Sequence, residues 1–330
     1  MVNVGVIGLG YWGPNLLRNV YASSRSGRIV MCDSDPARVK KMRSRYPDLE
    51  CTFDCREIFD DEDIDAVVIA TDVSSHYPLA KEALLAGKHS FVEKPFAASI
   101  QQAEELVELG GSNGLVTMVG HTFMFSPPVI KAKEIIDSGE LGDIHFITSS
   151  RVNLGLHQKD VSVIWDLAPH DFSMLFYWLG EEPSRVSAFG HAFVLDDIPD
   201  VAFIDLAFPS GAIGNVQVAW LAPSKLRRTV IVGSSKMLVY DDTEPIEKIK
   251  IYDKGVELVE PESFGEYQLT YRTGDILSPK LASGEPLASE MEEFLSSIEE
   301  GRTPVSSGRD GLGVVRALEL AEASLRKSGI

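Results

Sequence analysis

The sequence predicts an α/β chain in two parts: a doubly wound parallel sheet, then an α+β domain with a mainly antiparallel sheet. Three observations carry this. Over the first ~120 residues, short Val/Ile-rich runs alternate with amphipathic helical patterns, as in successive βαβ units. The first of these runs, residues 2–7, leads directly into Gly8-Leu9-Gly10-Tyr11-Trp12-Gly13. Beyond residue 125 strand-like runs dominate, joined by short turns such as Pro209-Ser210-Gly211.

In the first part strands are expected at 2–7, 29–32, 66–70, 89–92 and 115–119. They show little alternation, as befits strands covered on both faces. Helices are expected at 15–21, 36–45, 77–86 and 100–109, with Asp35 and Ser99 as N-caps and Gly87 and Gly110 as stops. In the second part a helix at 129–138 precedes strands at 145–151, 185–194, 201–208, 212–220, 228–233 and 237–240. A helix at 170–179 interrupts them, and helices at 290–299 and 311–327 close the chain. The polar stretch 263–284 is expected to be a mobile surface loop. Domains are set at 1–122 and 123–330, with the last helix free to pack back onto the first.

The 330 residues fit roughly two domains. Hydrophobic residues are 44% and charged residues 24%, which excludes a disordered chain. The net charge of −18 opposes binding to a phosphate backbone or an anionic bilayer, so neither nucleic acid nor membrane is expected as a partner. No run approaches the ~20 apolar residues of a membrane span, and residues 1–8 lack a basic signal-peptide region. The three cysteines, Cys32, Cys51 and Cys55, fit a reducing compartment, and a cytoplasmic location is expected. No spacing of acids, histidines and cysteines suggests a metal site.

A strand running into Gly-x-Gly-x-x-Gly and then a helix is built for a pyrophosphate. Gly8, Gly10 and Gly13 allow the tight turn and close backbone approach, and the helix N-terminus faces the anion with unpaired N–H groups. Pro14 suits the first helical turn. Asp33 ends the second strand about 20 residues beyond Gly13, where a carboxylate accepts hydrogen bonds from an adenosine ribose. It would repel a 2′-phosphate, so NAD is favoured over NADP; Arg38 in the next helix is the residue within reach of such a phosphate.

The third strand ends in Ala70-Thr71-Asp72-Val73-Ser74-Ser75-His76 and the fourth in Val92-Glu93-Lys94-Pro95. With the glycine turn, with Trp165-Asp166-Leu167-Ala168-Pro169-His170-Asp171, and with the closing Gly301-Arg302-Thr303-Pro304 stretch, these resemble the glucose–fructose oxidoreductase/inositol dehydrogenase (Gfo/Idh/MocA) family. The resemblance implies a Rossmann domain, an open-faced second sheet that makes subunit contacts, and nicotinamide-dependent oxidation of a sugar, cyclitol or nucleotide sugar. It also implies a cis Lys94–Pro95 bond. Tyr11, Trp12, Thr71, Asp72, His76, Glu93, Lys94 and His121 are then expected around the cofactor. Arg151-Val152-Asn153-Leu154-Gly155, the Trp165–Asp171 segment and residues 220–227 look most like the branch acting on nucleotide-linked sugars, such as nucleotide-sugar 3-dehydrogenases and 3-ketoreductases.

Oxidising a secondary alcohol needs a base for the hydroxyl proton and a donor for the developing oxyanion. Lys94 is expected to hold the substrate oxygen. Asp166 and His170 lie one helical turn apart at an expected helix start, where the dipole disfavours imidazolium and keeps His170 available as the proton acceptor. Asp166 would orient substrate or ring, with Trp165 beside it, and Asp171 would cap or support. Lys225, Arg227 and Arg228 form a basic cluster that reads either as a diphosphate anchor or as a solvated strand end. Arg151 is either a substrate ligand or an exposed strand residue, and Asn153 lies in the same run. The expected activity is NAD-dependent interconversion of a sugar alcohol and ketone, most of all on a nucleotide-linked sugar such as UDP-N-acetylglucosamine, by a homodimer or homotetramer joined through its second sheet. The alternatives are a dehydrogenase of a free sugar, cyclitol or dihydrodiol, a nucleotide-sugar ketoreductase, and a non-catalytic NAD-sensing regulator.

Overall fold

The computed structural model describes residues 1–155, 157–158, 161–259 and 268–327. The chain forms two compact units, Met1–Phe125 with Gly284–Glu319, and Ser126–Ser283 with Leu320–Ile330. The chain thus returns to its first unit from Gly284 onward, where the sequence reading let only the last helix pack back.

In the first unit β1 (Val2–Ile7), β2 (Ser26–Cys32), β3 (Glu50–Thr52), β4 (Ala66–Ile69), β5 (His89–Glu93) and β6 (Thr117–Gly120) form a wholly parallel sheet in the order β3-β2-β1-β4-β5-β6. This is the doubly wound order, whose switch point lies between β1 and β4. The short β3 escaped the sequence reading because Glu50, Cys51 and Thr52 have no apolar periodicity. Helices α1 (Gly13–Ala22), α2 (Pro36–Arg45), α3 (Arg56–Phe59), α4 (Val73–Leu85) and α5 (Ile100–Ser112) connect the strands.

The expected stop at Gly110 is corrected: α5 runs on to Ser112. Gly110 is there for space, since a Cβ would lie 2.4 Å from Thr117 Oγ1. A 3-10 turn, Thr122–Phe125, follows β6, and α8 (Pro286–Glu300) returns to pack on the sheet, with Phe294 meeting Phe91 edge-on at 5.7 Å. Ser307 pairs with Met118 and Ser306 accepts the Val119 N–H, which covers the otherwise open edge of β6.

The second unit begins with α6 (Pro127–Asp137), β7 (Ile144–Leu154) and α7 (Val163–Leu179). Then come β8 (Arg185–His191), β9 (Val201–Ala207), β10 (Ile213–Ala219), β11 (Leu221–Gly233), β12 (Met237–Asp241), β13 (Ile249–Val259) and β14 (Gln268–Leu277). The sheet runs β14-β13-β12-β11-β7-β10-β9-β8, antiparallel throughout except that β7 and β10 are parallel. That exception follows from α7, which carries the chain over the sheet before β10 is laid beside β7. The expected loop at 263–284 is corrected in part: residues 268–277 form β14, residues 263–267 lie outside the described residues, and only the last stretch before α8 is irregular.

Burial alternates along β9 and β10, with Ala202, Ile204, Leu206, Val216 and Val218 on the helix side. The opposite face carries the cross-strand pairs Phe189 with Phe203 and Phe146 with Ile213, all four exposed. The last helix, α9 (Gly308–Lys327), is divided between the units. Among the described residues no helix is long and apolar enough to cross a membrane.

Candidate active site

The first unit gathers its motif residues at the carboxyl ends of β1, β2, β4 and β5. Gly8 sits at φ +95°, and a Cβ there would lie 2.5 Å from the Ala70 carbonyl oxygen. At Gly13 a Cβ would fall 1.9 Å from the Gly8 carbonyl oxygen. These two glycines therefore serve the turn itself. Gly10 differs: its nearest neighbour would be the Arg38 guanidinium at 3.6 Å. The space above Gly10 is left for something outside the chain, and α1 starts beneath it with Pro14, no side-chain cap and no acidic residue in its first turn. That cradle fits a pyrophosphate, which would be held by the turn's backbone and the α1 N-terminus. Tyr11 and Trp12 are both exposed beside it, with their rings stacked at 6.4 Å.

Asp33 is buried at the end of β2. Its Oδ2 accepts the Leu9 N–H at 2.7 Å and its Oδ1 the Asp35 N–H at 2.8 Å, while Arg38 approaches Oδ2 at 3.4 Å. The acid thus braces the turn from the end of β2. Thr71 is half-buried and Asp72, at the start of α4, is exposed with no capping bond from its side chain.

His76 is buried, with Nδ1 2.8 Å from the Pro95 carbonyl and Nε2 3.1 Å from the Thr71 carbonyl, so its ring sits between the two strand ends and, when neutral, donates to one of the two. Burial lowers its pKa, against the pull of those carbonyls. The Lys94–Pro95 bond is cis.

Lys94 is half-buried at the end of β5, and its backbone N–H donates to Glu93 Oε2 at 3.1 Å. Glu93 is buried, and burial pushes its carboxyl up to about 7. His121 is equally buried, and burial, reinforced by the Lys94 charge, pushes it down to about 3, so it is neutral. Sequence reasoning missed Glu290 altogether. It projects from α8, is wholly buried, and accepts from Thr122 Oγ1 at 2.9 Å. A signal was present: Glu290 falls on the apolar stripe of Leu287, Met291 and Phe294, where a charged residue has no solvent to face.

In the second unit Asp166 and His170 share one face of α7, both half-buried, and Asp166 Oδ2 accepts the Trp220 indole N–H at 3.0 Å. Trp165 is half-buried next to them. The helix begins at Val163, seven residues before the expected start. Pro169 therefore lies inside it, leaving the Trp165 carbonyl without its usual intrahelical N–H. His170 is then two turns from the N-terminus, where the dipole is weak, so the dipole argument for its protonation state falls.

Arg151 is neither exposed nor directed outward. Its Nε donates to Asp171 Oδ2 at 2.6 Å, with both side chains almost fully buried, and Ser149 Oγ donates to Asp171 Oδ1 at 2.7 Å. The alternation of β7 turns Ser149 and Arg151 toward α7, and a charge on that side needs a partner. Removing either member would cost about 3–5 kcal/mol. Asp171 thus fixes the α7 turn that carries His170.

Asn153 is half-buried two residues further along β7. Arg227 lies opposite Arg151 on β11 and contacts Asp242 at 3.4 Å, whereas Lys225 and Arg228 are exposed. Lys248 also reaches Asp242, and these two cations hold its carboxyl below the usual range against the opposing effect of burial.

Comparison with known proteins decides the family. The model described as "Oxidoreductase family, NAD-binding Rossmann fold" matches residues 2–121, and the GFO/IDH/MocA C-terminal domain matches residues 129–239. The chain belongs to the GFO/IDH/MocA family. It is an oxidoreductase whose first unit carries the NAD-binding fold of that family.

It is 31% identical over 223 residues to an uncharacterized oxidoreductase, YrbE, of Bacillus subtilis, covering 64% of this chain and 65% of that one, just under two thirds of its length. Inositol 2-dehydrogenase of Rhizobium meliloti is 27% identical over 98% of this chain and 96% of its own. UDP-N-acetylglucosamine 3-dehydrogenase of Acidithiobacillus ferrooxidans is 25% identical over 96% of this chain and 95% of its own. A solved structure of the last, GnnA, superposes with a TM-score of 0.81 over 98% of both chains at 23% identity, a likeness of fold.

Proposed function

We propose that this GFO/IDH/MocA protein interconverts a secondary alcohol and a ketone on a sugar, and that the sugar is nucleotide-linked. The observation that carries the chemistry is Lys94 at the β5 end, on the same sheet edge as the open Gly10 cradle and Asp33. In an open α/β sheet that edge is where ligands bind. When bound, NAD supplies the hydride acceptor. The chain supplies the rest. Gly8–Gly13 and the α1 N-terminus hold the pyrophosphate, and Asp33 takes the ribose hydroxyls. The Lys94 ammonium donates a hydrogen bond to the substrate oxygen as it gains charge, and His170 accepts the hydroxyl proton. Asp166, fixed by Trp220, orients the substrate.

The nucleotide-sugar reading is supported by the relative that acts on UDP-N-acetylglucosamine and by Arg227 with the exposed Lys225 near it, cations that suit a diphosphate, whereas Arg228 lies on the other face of β11. A cyclitol is the second reading, favoured by the full-length likeness to an inositol 2-dehydrogenase. A panel of nucleotide sugars, free sugars and cyclitols, followed by nicotinamide absorbance, separates them. Turnover that disappears when the nucleotide is removed is the expected result; turnover of a free cyclitol with none of any nucleotide sugar overturns it.

The reading places the enzyme in the cytoplasm, as a homodimer or homotetramer joined through the exposed sheet face that bears Phe146, Phe189, Phe203 and Ile213. Light scattering at micromolar concentration is expected to exceed the 36.2 kDa of one chain, and a monomer there contradicts the assembly.

A further inference from the structure

The first unit buries more ionisable chemistry beside Lys94 than the proposed mechanism uses. Glu93 from β5, His121 just after β6 and Glu290 from α8 are all buried. Among the described residues, Glu93 Oε1, Glu290 Oε1 and both ring nitrogens of His121 have no hydrogen-bond partner. The segment Gly120-His121-Thr122 links the two acids. At Gly120 a Cβ would stand 3.0 Å from the Glu93 carboxyl carbon, and Thr122 donates to Glu290. A larger residue at 120 would push that carboxyl away.

Two buried carboxylates that feel each other cannot both ionise cheaply, because neither has water and each raises the cost of the other's charge. Burial raises both acids, and for Glu290 the Glu93 charge adds to the effect. Among the described residues, the groups that act on them are the Lys94 backbone N–H and ammonium and the Trp12 indole on Glu93, and Thr122 on Glu290. The Lys94 charge and N–H both favour ionisation of Glu93, whereas Glu290 has only a hydroxyl.

We infer that Glu93 and Glu290 hold one proton between them, resident on Glu290, and that Glu290 is thereby a positioning residue for Lys94. With the proton on Glu290, Glu93 is the ionised member of the pair and the acceptor of the Lys94 N–H. Ionisation of Glu290 would place a second anion against Glu93, and the proton would then compete for Glu93 and remove the anion that steadies Lys94. The step is a redistribution of one proton between two carboxyl oxygens and needs no other reactant. The role of Lys94 rests on the proposed function; the shared proton does not.

The test reads the proton directly. Infrared difference spectra of the cofactor-free protein at pH 8, where Glu93 is mostly ionised, wild type against Glu290→Gln, are expected to show a protonated carboxylic-acid C=O band that the variant lacks. Identical spectra overturn the proposal. Glu290→Gln keeps an acceptor for Thr122 and should fold, as circular dichroism would verify; Glu290→Leu removes charge, proton and acceptor together. In turnover, the expected effect is a shift of the acid limb of the kcat profile by at least one pH unit in Glu290→Gln, with KM for NAD changed less than threefold. Unchanged limbs in both variants overturn the link to Lys94. Should Lys94→Ala retain full turnover while the infrared band persists, the proposed function fails and the shared proton stands.

Discussion

The Asp33 carboxylate accepts the Leu9 N–H at 2.7 Å, so the acid that ends β2 also holds the middle of the glycine turn that follows β1. Two tasks fall on one side chain. It fixes the turn's backbone and, in the proposed function, presents a negative charge to the ribose. That charge gives the first prediction. NAD is expected to bind at least ten times more tightly than NADP, since one unfavourable charge contact easily costs about 1.4 kcal/mol. Titration of both dinucleotides checks this, and equal affinities would mean that Arg38, already 3.4 Å from Asp33, has turned to the 2′-phosphate.

The glycines of that turn should separate into two kinds. Gly13→Ala puts a methyl group on the Gly8 carbonyl and is expected to destabilise the fold, read as a drop in the urea midpoint. Gly10→Ala meets only a movable guanidinium at 3.6 Å, so stability should hold while NAD affinity falls at least tenfold. A Gly10→Ala protein that binds NAD normally would show that the pyrophosphate does not approach there.

Lys94→Ala and His170→Ala are each expected to lower kcat by ~100- to 10,000-fold, the usual value of a positioned acid–base group, while NAD affinity stays within a few-fold. The losses should not multiply in the double variant, because both groups serve one proton transfer. Near-normal turnover by Lys94→Ala on the true substrate would refute the mechanism.

The buried acids predict a pH dependence of stability with a definite sign. A carboxyl raised from 4.5 to about 7 on folding, as Glu93 is, favours the native state fully below the lower value and loses that contribution as pH rises through the upper one. Buried neutral His121, lowered from 6.5 to about 3, acts oppositely, adding stability as pH climbs toward 6.5. The two partly cancel in the wild type, so the difference between variant and wild type is the quantity to follow. Relative to wild type, Glu93→Gln should gain stability between pH 5 and 8, by on the order of 1–3 kcal/mol, and Glu290→Gln should change in the same direction. Urea denaturation at both pH values measures it, and a difference that stays constant with pH would remove the buried charges from the account.

The local order of the first unit was legible because its signals are local. Apolar runs mark β1, β2, β4, β5 and β6, Asp35 caps α2, Ser99 caps α5, and the glycine turn sits between β1 and α1. Legibility failed where a long-range partner supplied the stabilisation. The early start of α7 was hidden by Pro169, which breaks an isolated helix but is tolerated when Phe172, Leu175 and Trp178 are buried along the same face. The strand β14 was hidden by its polar composition, since its ordering comes from pairing with β13.

What the sequence by itself determined is therefore the fold class and the dinucleotide turn, each written in spacings of a few residues. Only the tertiary structure decided where individual charges are satisfied. It gave Arg151 to Asp171, set the His76 ring between the Pro95 and Thr71 carbonyls, and carried Glu290 from almost 200 residues away into the field of Glu93. The reason is physical: a buried charge or polar ring is governed by the desolvation and partners it meets after folding, and those partners come from segments that sequence spacing does not connect.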